Sequence, residues 1–185
     1  MNEQDSTPPA AHGLRRRIGR ALPDIIFGAN DGIITTFAVV SGVVGGNLSS
    51  QVVLILGFAN LLADGVSMGA SNYLAKRSGG EEEQLLSRTD AARHGAITFA
   101  SFVLIGAIPL FAYIFALPGW RFLATTVVTL LTLFVVGAAR AAVTAHHWWR
   151  AGTEMLLIGA AAAGIAYGIG HLMSQIVGEG FSSAG

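Results

Sequence analysis

The chain has 185 residues, of which 52% are hydrophobic and 12% charged, with 11 basic residues balanced by 11 acidic ones. A water-soluble domain carries about 25% charged residues, so the composition excludes an ordinary soluble globule, and no nucleic-acid partner is expected. There is no cysteine, which removes disulfides and thiolate metal sites from consideration.

Residues 1–22 begin with the polar, proline-containing run MNEQDSTPPAAHG and continue into Arg15, Arg16, Arg17 and Arg20. They are predicted to be a disordered basic tail. The tail is not expected to be a secretory signal, because its basic residues precede a full-length apolar span and no small-residue cleavage site follows a short one. The first span is predicted over 25–46 and contains Asp31. At 3.6 residues per turn Asp31, Thr35, Ala38 and Gly42 share a face with Gly28. That face is polar at one end and small elsewhere. Gly28 and Gly32 form a GxxxG pair, so the expectation is tight packing there, including packing against a second copy.

A short connection, 47–51, leads to the second span at 52–75. Asn60, Asp64 and Met68 stand at i, i+4 and i+8, with Ser67 and Ser71 beside them, within an arc of about 100°. Leu54, Leu61, Leu62 and Val66 occupy the opposite face and suit lipid or core. The connection 76–95 holds Glu81, Glu82 and Glu83, together with Asp90 and His94. This acidic stretch is either a solvated face or a place that attracts cations.

The third and fourth spans, 96–116 and 122–142, are joined by Leu117, Pro118, Gly119 and Trp120, a tight turn. His146, His147, Trp148, Trp149 and Arg150 read as a membrane-interface belt. The fifth span is predicted over 154–177, with Glu154 at its start, where it is either a favourable helix N-terminal charge or a ligand. His171 has no assigned role. Residues 179–185 are a short tail.

Each of the five apolar runs reaches the roughly 20 residues that a bilayer span needs. Threaded in sequence, they gather every lysine and arginine except Arg121 on one side. The positive-inside rule makes that side cytoplasmic. The expected fold is an all-α membrane protein of five transmembrane helices, spanning 23–178, with the N terminus in the cytoplasm and the C terminus outside. An odd helix count argues against two equal halves within the chain.

Asp31 and Asp64 are the most informative residues. A carboxylate near the centre of a membrane helix costs about 2.5–3.5 kcal/mol on insertion scales, and intramembrane carboxylates commonly handle cations or protons. Counting from the inner ends at 1.5 Å per residue puts Asp31 and Met68 roughly 9 Å into the hydrocarbon and Asp64 roughly 6 Å deeper. Carboxylate, amide and hydroxyl oxygens suit Mg²⁺, Ca²⁺ or Mn²⁺, and a thioether adds preference for a softer ion such as Fe²⁺. A carboxylate can also take a proton when the metal leaves. Two readings stay open for each helper. Met68 is a ligand or a packing residue. Asn60, Ser67 and Ser71 are ligands or interhelical hydrogen-bonding groups, and both aspartates have a purely structural alternative.

The segments DGIITTFAVVSGV (31–43) and ANLLADGVSMGASNYL (59–74) resemble the vacuolar iron transporter family. Gly137-Ala138-Ala139-Arg140, the run from Glu154 to Gly159, and Ala166-Tyr167 resemble its last two helices. The likeness covers about residues 23–172. It implies a five-helix homodimer with a path near the dimer axis lined by helices 1 and 2. It implies movement of Fe²⁺, with Mn²⁺ as a further substrate, out of the cytoplasm in exchange for protons. Asp31, Asp64, Met68 and Asn60 would hold the metal, and the two aspartates would carry the protons. Thr35, Ser67, Ser71, Asn72 and Glu154 are accessory candidates.

Eukaryotic members of that family carry a cytoplasmic helical domain, rich in Glu and Met, between helices 2 and 3. Here the connection is short and has no Met. Many members have Glu where this chain has Asn72. The short form resembles prokaryotic members, so the expected location is a plasma membrane. The expectation is therefore a proton-coupled metal exporter with no resident cofactor and no enzyme activity. The rival is a non-transporting membrane interaction protein whose polar stripes only hold helices together. An intramembrane hydrolase is disfavoured, since no serine and histidine fall at one depth: His94 and His171 lie near membrane edges on opposite sides.

Overall fold

The structure, a computed structural model, describes residues 9–78, 87–141 and 147–182. Six helices follow one another: α1 (Pro9–Gly45), α2 (Ser50–Arg77), α3 (Arg88–Gly106), α4 (Ile108–Phe115), α5 (Arg121–Arg140) and α6 (Trp148–Ser182). With α3 and α4 taken as one broken rod, five helical stretches are long and apolar enough to cross a membrane. There is no strand among the described residues.

Three boundaries depart from expectation, each for a local reason. First, α1 begins at Pro9, inside the segment expected to be disordered. Proline is tolerated at a first helical position, and the alanines, leucine and arginines that follow are good helix formers. Second, α3 begins at Arg88 rather than near 96. Ser87 caps it: its hydroxyl oxygen accepts from the Asp90 backbone N–H at 3.1 Å. His94, read from sequence as a loop residue, is thereby carried on a helix. Third, α6 starts at Trp148, so Glu154 sits past its first turn instead of at its start.

The turns are built by residues suited to them. α1 ends in a Schellman arrangement, with Leu48 N–H donating to Val43 O at 3.1 Å and Asn47 N–H to Val44 O at 3.0 Å. Asn47 takes the left-handed conformation at φ 55° that this motif requires. Between α4 and α5, Trp120 N–H donates to Leu117 O at 3.0 Å, with Pro118 and Gly119 between them. Gly119 has φ +88°, the value that excludes most side chains. The break at Ala107 between α3 and α4 precedes Pro109, whose missing N–H cannot continue the α3 ladder.

The core lies where α1, α2, α3 and α4 meet. Val40, Val53, Leu61, Phe102 and Leu110 are sealed from solvent there, with Tyr113 at the edge. Leu61, which sequence left between lipid and core, is therefore core. α1 packs chiefly against α3 and α6. A Cβ on Gly28 would lie 2.5 Å from Thr98 O, and one on Gly32 would collide with Phe102 O, so both glycines admit the α3 backbone. Gly42 lies against Ala166 of α6. The close approach that these glycines permit is made within the chain, against α3 and α6. Gly137, Gly152 and Gly159 join α5 to α6 in the same way, against Met155, Phe134 and Leu133. Large apolar side chains such as Ile55, Val66, Leu104, Leu131 and Ile165 point outward, as lipid-facing residues do.

Candidate functional site

α1 and α2 are the helices whose polar faces stay open. Between them runs a groove of about 500 Å³, lined by Phe27 and Asp31 from α1 and by Asp64, Ser67, Met68, Ser71, Asn72 and Ala75 from α2. The helical repeat explains the α2 set: residues 64, 68, 71, 72 and 75 fall on one stripe. Asp31 enters from the facing helix, while its neighbours Gly28 and Gly32, about a quarter turn around α1, seat that helix against α3. Two carboxylates, a thioether and two hydroxyls thus face one space.

The groups in this space differ in how they are held. Asp64 is fixed by its own helix: Asn60 Nδ2 donates to Asp64 Oδ2 at 2.6 Å. Asn60 is thus behind Asp64 rather than among the groove-lining residues. The Asp31 carboxylate has no hydrogen-bond partner among the described residues, which leaves it available to a ligand. Met68 does two things, facing the groove while also packing on the core cluster. Thr35 turns away: its hydroxyl donates to the Asp31 backbone oxygen at 2.8 Å, a bond internal to the helix. Glu154 is outside the groove, on α6, where its Oε2 stands 3.8 Å from Arg140 Nη1. Glu81, Glu82, Glu83 and His146 lie outside the described residues.

Sequence reasoning missed a second polar cluster at the end of the groove that carries most of the basic residues. Asp24 is 8% exposed. Its Oδ1 accepts from Asn72 Nδ2 at 2.8 Å, and its Oδ2 is bonded to His94 Nδ1. A carboxylate only accepts, so the imidazole donates through Nδ1. Asn72 Nδ2 also donates to Thr98 Oγ1 at 2.6 Å, and Thr98 donates to His94 O at 3.1 Å. α1, α2 and α3 are therefore tied together at this point. The available signal was the seven-residue spacing of Asp24 and Asp31, two helical turns that put both on one stripe.

No group of three or more His, Cys, Asp or Glu side chains that could hold a metal occurs among the described residues. A cation in the groove would be met by two carboxylates from this chain, with weaker donors around them. That set matches a labile, transported divalent ion better than a structural one, which closes its shell with protein ligands.

A family model described as the VIT family matches residues 22–90 and 80–171. The two parts of the match meet at the connection between the second and third spans. Two named relatives are similar over most of their length, and a third over a shorter stretch. A "Vacuolar iron transporter" of Toxoplasma gondii is 26% identical, with 86% of this chain and 76% of the relative covered. A "Vacuolar iron transporter 1" of Eucalyptus grandis is 27% identical, with 82% and 86% covered. A "Vacuolar iron transporter 1" of Arabidopsis thaliana is 43% identical over 60 residues, 32% of this chain and 24% of the relative.

Proposed function

The chain belongs to the VIT family, and from that premise we propose that it exports Fe²⁺ or Mn²⁺ from the cytoplasm in exchange for protons, along a path lined by α1 and α2 where two copies of the chain meet. The observation that carries this reading is the convergence of Asp31 and Asp64, from two different spans, on one groove beside the Met68 thioether.

The chemistry follows from charge. Two carboxylates balance one divalent cation. When the cation leaves, each can hold a proton instead, so the groove stays near neutral in both states and neither state strands bare charge in a low-dielectric medium. Met68 biases the site toward softer transition ions over Mg²⁺ and Ca²⁺. Asn60 holds Asp64 in place, and Ser67 and Ser71 supply neutral oxygens.

The groove is open on one side of the single chain, with Ser67, Ser71 and Ala75 exposed. Charged residues at membrane depth face protein or water rather than lipid. A second copy, set across the open side, would cover the groove and double the carboxylates available to one ion. The basic end, with Lys76, Arg77, Arg88 and Arg93, would be cytoplasmic, and the membrane a prokaryotic plasma membrane.

Reconstitution tests this directly. Liposomes containing the full chain are expected to take up Fe²⁺ and Mn²⁺ faster with an opposing proton gradient than without one. Asp31→Ala is expected to remove that flux while inserting normally. Flux that persists in Asp31→Ala would reject the carboxylate mechanism. Absence of flux for any divalent ion in well-inserted wild-type protein would leave the groove as an interhelical contact.

A further inference from the structure

We infer that Asp24, His94 and Thr98 act as positioning residues that orient the Asn72 amide, so that its oxygen faces the groove and serves as a neutral ligand at the groove's basic end.

An asparagine side chain has one donor end and one acceptor end, and its orientation is decided by its partners. Here every partner is on one side. Asn72 Nδ2 donates to Asp24 Oδ1 at 2.8 Å and Thr98 Oγ1 at 2.6 Å, with a longer contact to His94 O at 3.4 Å, all of them acceptors. Thr98 can only accept from Asn72, because its own proton goes to His94 O at 3.1 Å. Asp24 can only accept, and its other oxygen is engaged by His94 Nδ1. A flipped amide would set its oxygen against a carboxylate oxygen and against a hydroxyl whose proton is already used. The network therefore admits one orientation. It consumes the nitrogen and leaves Asn72 Oδ1 without a protein hydrogen bond among the described residues, while Asn72 itself lines the groove that holds Asp31, Asp64 and Met68.

Two consequences follow from the chemistry. The oxygen adds a hard, uncharged donor without adding a third negative charge, so an ion can be received at this end of the groove and passed on without being trapped. The side chain must also be an amide. A carboxylate at this position would repel Asp24, and an aliphatic residue would leave one oxygen of the nearly buried Asp24 with its bond unmade. His94 contributes at one remove: it holds Asp24, Asp24 holds the amide nitrogen, and the amide presents its oxygen.

This role presupposes that the groove binds a divalent cation, and equilibrium binding of Mn²⁺ to the detergent-purified full chain tests it apart from transport. Titration followed by the Mn²⁺ electron-spin-resonance signal is expected to show about tenfold weaker binding for Asn72→Ala. His94→Ala is expected to weaken binding by a similar factor, and the double variant by no more than Asn72→Ala alone, since all act through one oxygen. His94→Asn, whose amide N–H can stand where Nδ1–H stood, is expected to recover wild-type affinity within about twofold. If Asn72→Ala does not fold, Thr98→Val removes the shortest of the Nδ2 hydrogen bonds at nearly constant shape and is expected to weaken binding as well. Wild-type affinity in Asn72→Ala, or losses that multiply in the double variant, would overturn the assignment. So would a wild-type chain that binds no Mn²⁺. Mn²⁺ binding with this pattern in a protein that carries no flux would support the assignment while retiring the transport reading.

Discussion

Asp24 and Asp31 are the same residue on the same stripe of the same helix, two turns apart, and the structure uses them in opposite ways. Asp24 is nearly buried, with both oxygens bonded to side chains from α2 and α3. Asp31 faces an open groove and a second carboxylate, with no protein hydrogen bond to it among the described residues. The difference teaches that a carboxylate's role inside a membrane protein is fixed by its donors. A satisfied one ties helices together, and an unsatisfied one is left to bind something that arrives from outside.

The comparison can be broken or sharpened by substitution. The largest expected effect is on transport: Asp31→Ala should reduce metal flux to background in liposomes, with thermal stability unchanged or raised, because an unpartnered carboxylate that costs about 2.5–3.5 kcal/mol in a membrane helix has been removed. Asp24→Ala should act mainly on the fold. Stripping the acceptor from His94 and Asn72 is expected to cost about 3 kcal/mol of stability, read as an earlier unfolding transition in detergent. A stable Asp24→Ala protein with no flux would erase the distinction between the two residues.

Gly32→Ala is expected to cost about 2 kcal/mol, since the added Cβ meets the Phe102 carbonyl and α1 must move from α3. It should disturb Asp24 and Asp31 together, because both depend on how α1 seats. Thr35→Val, one turn beyond Asp31, should change stability by less than about 0.5 kcal/mol and leave flux intact, since its hydroxyl bonds only its own helix. A strong flux defect in Thr35→Val would move the groove's boundary around α1.

Much of the fold was legible from the chain alone. Five apolar runs of spanning length are visible in composition, and the tight turn at Leu117–Trp120 follows from a proline and a glycine at the positions where such a turn needs them. Helix ends were less legible. The Ser87 cap starts α3 well before its apolar run does, because a hydrogen bond to an orphan backbone N–H counts for more at that point than hydrophobicity. The site was half legible. Asp64, Ser67, Met68 and Ser71 could be grouped from a 3.6-residue repeat, and the structure has them lining one groove. Asp24 was passed over because it sits beside the arginine-rich flank, where a charged residue needs no special explanation.

Periodicity within a helix is a local property, set by backbone geometry, and so the sequence determined which residues share a face and that two membrane aspartates demanded a reason. Which face meets which helix is not local. It depended on where glycines let backbones approach, and only the tertiary structure could decide that Gly28 and Gly32 face α3 within the chain, that Asp31 is turned toward α2, and that Asn72, Asp24 and His94, far apart in sequence, share one hydrogen-bond network.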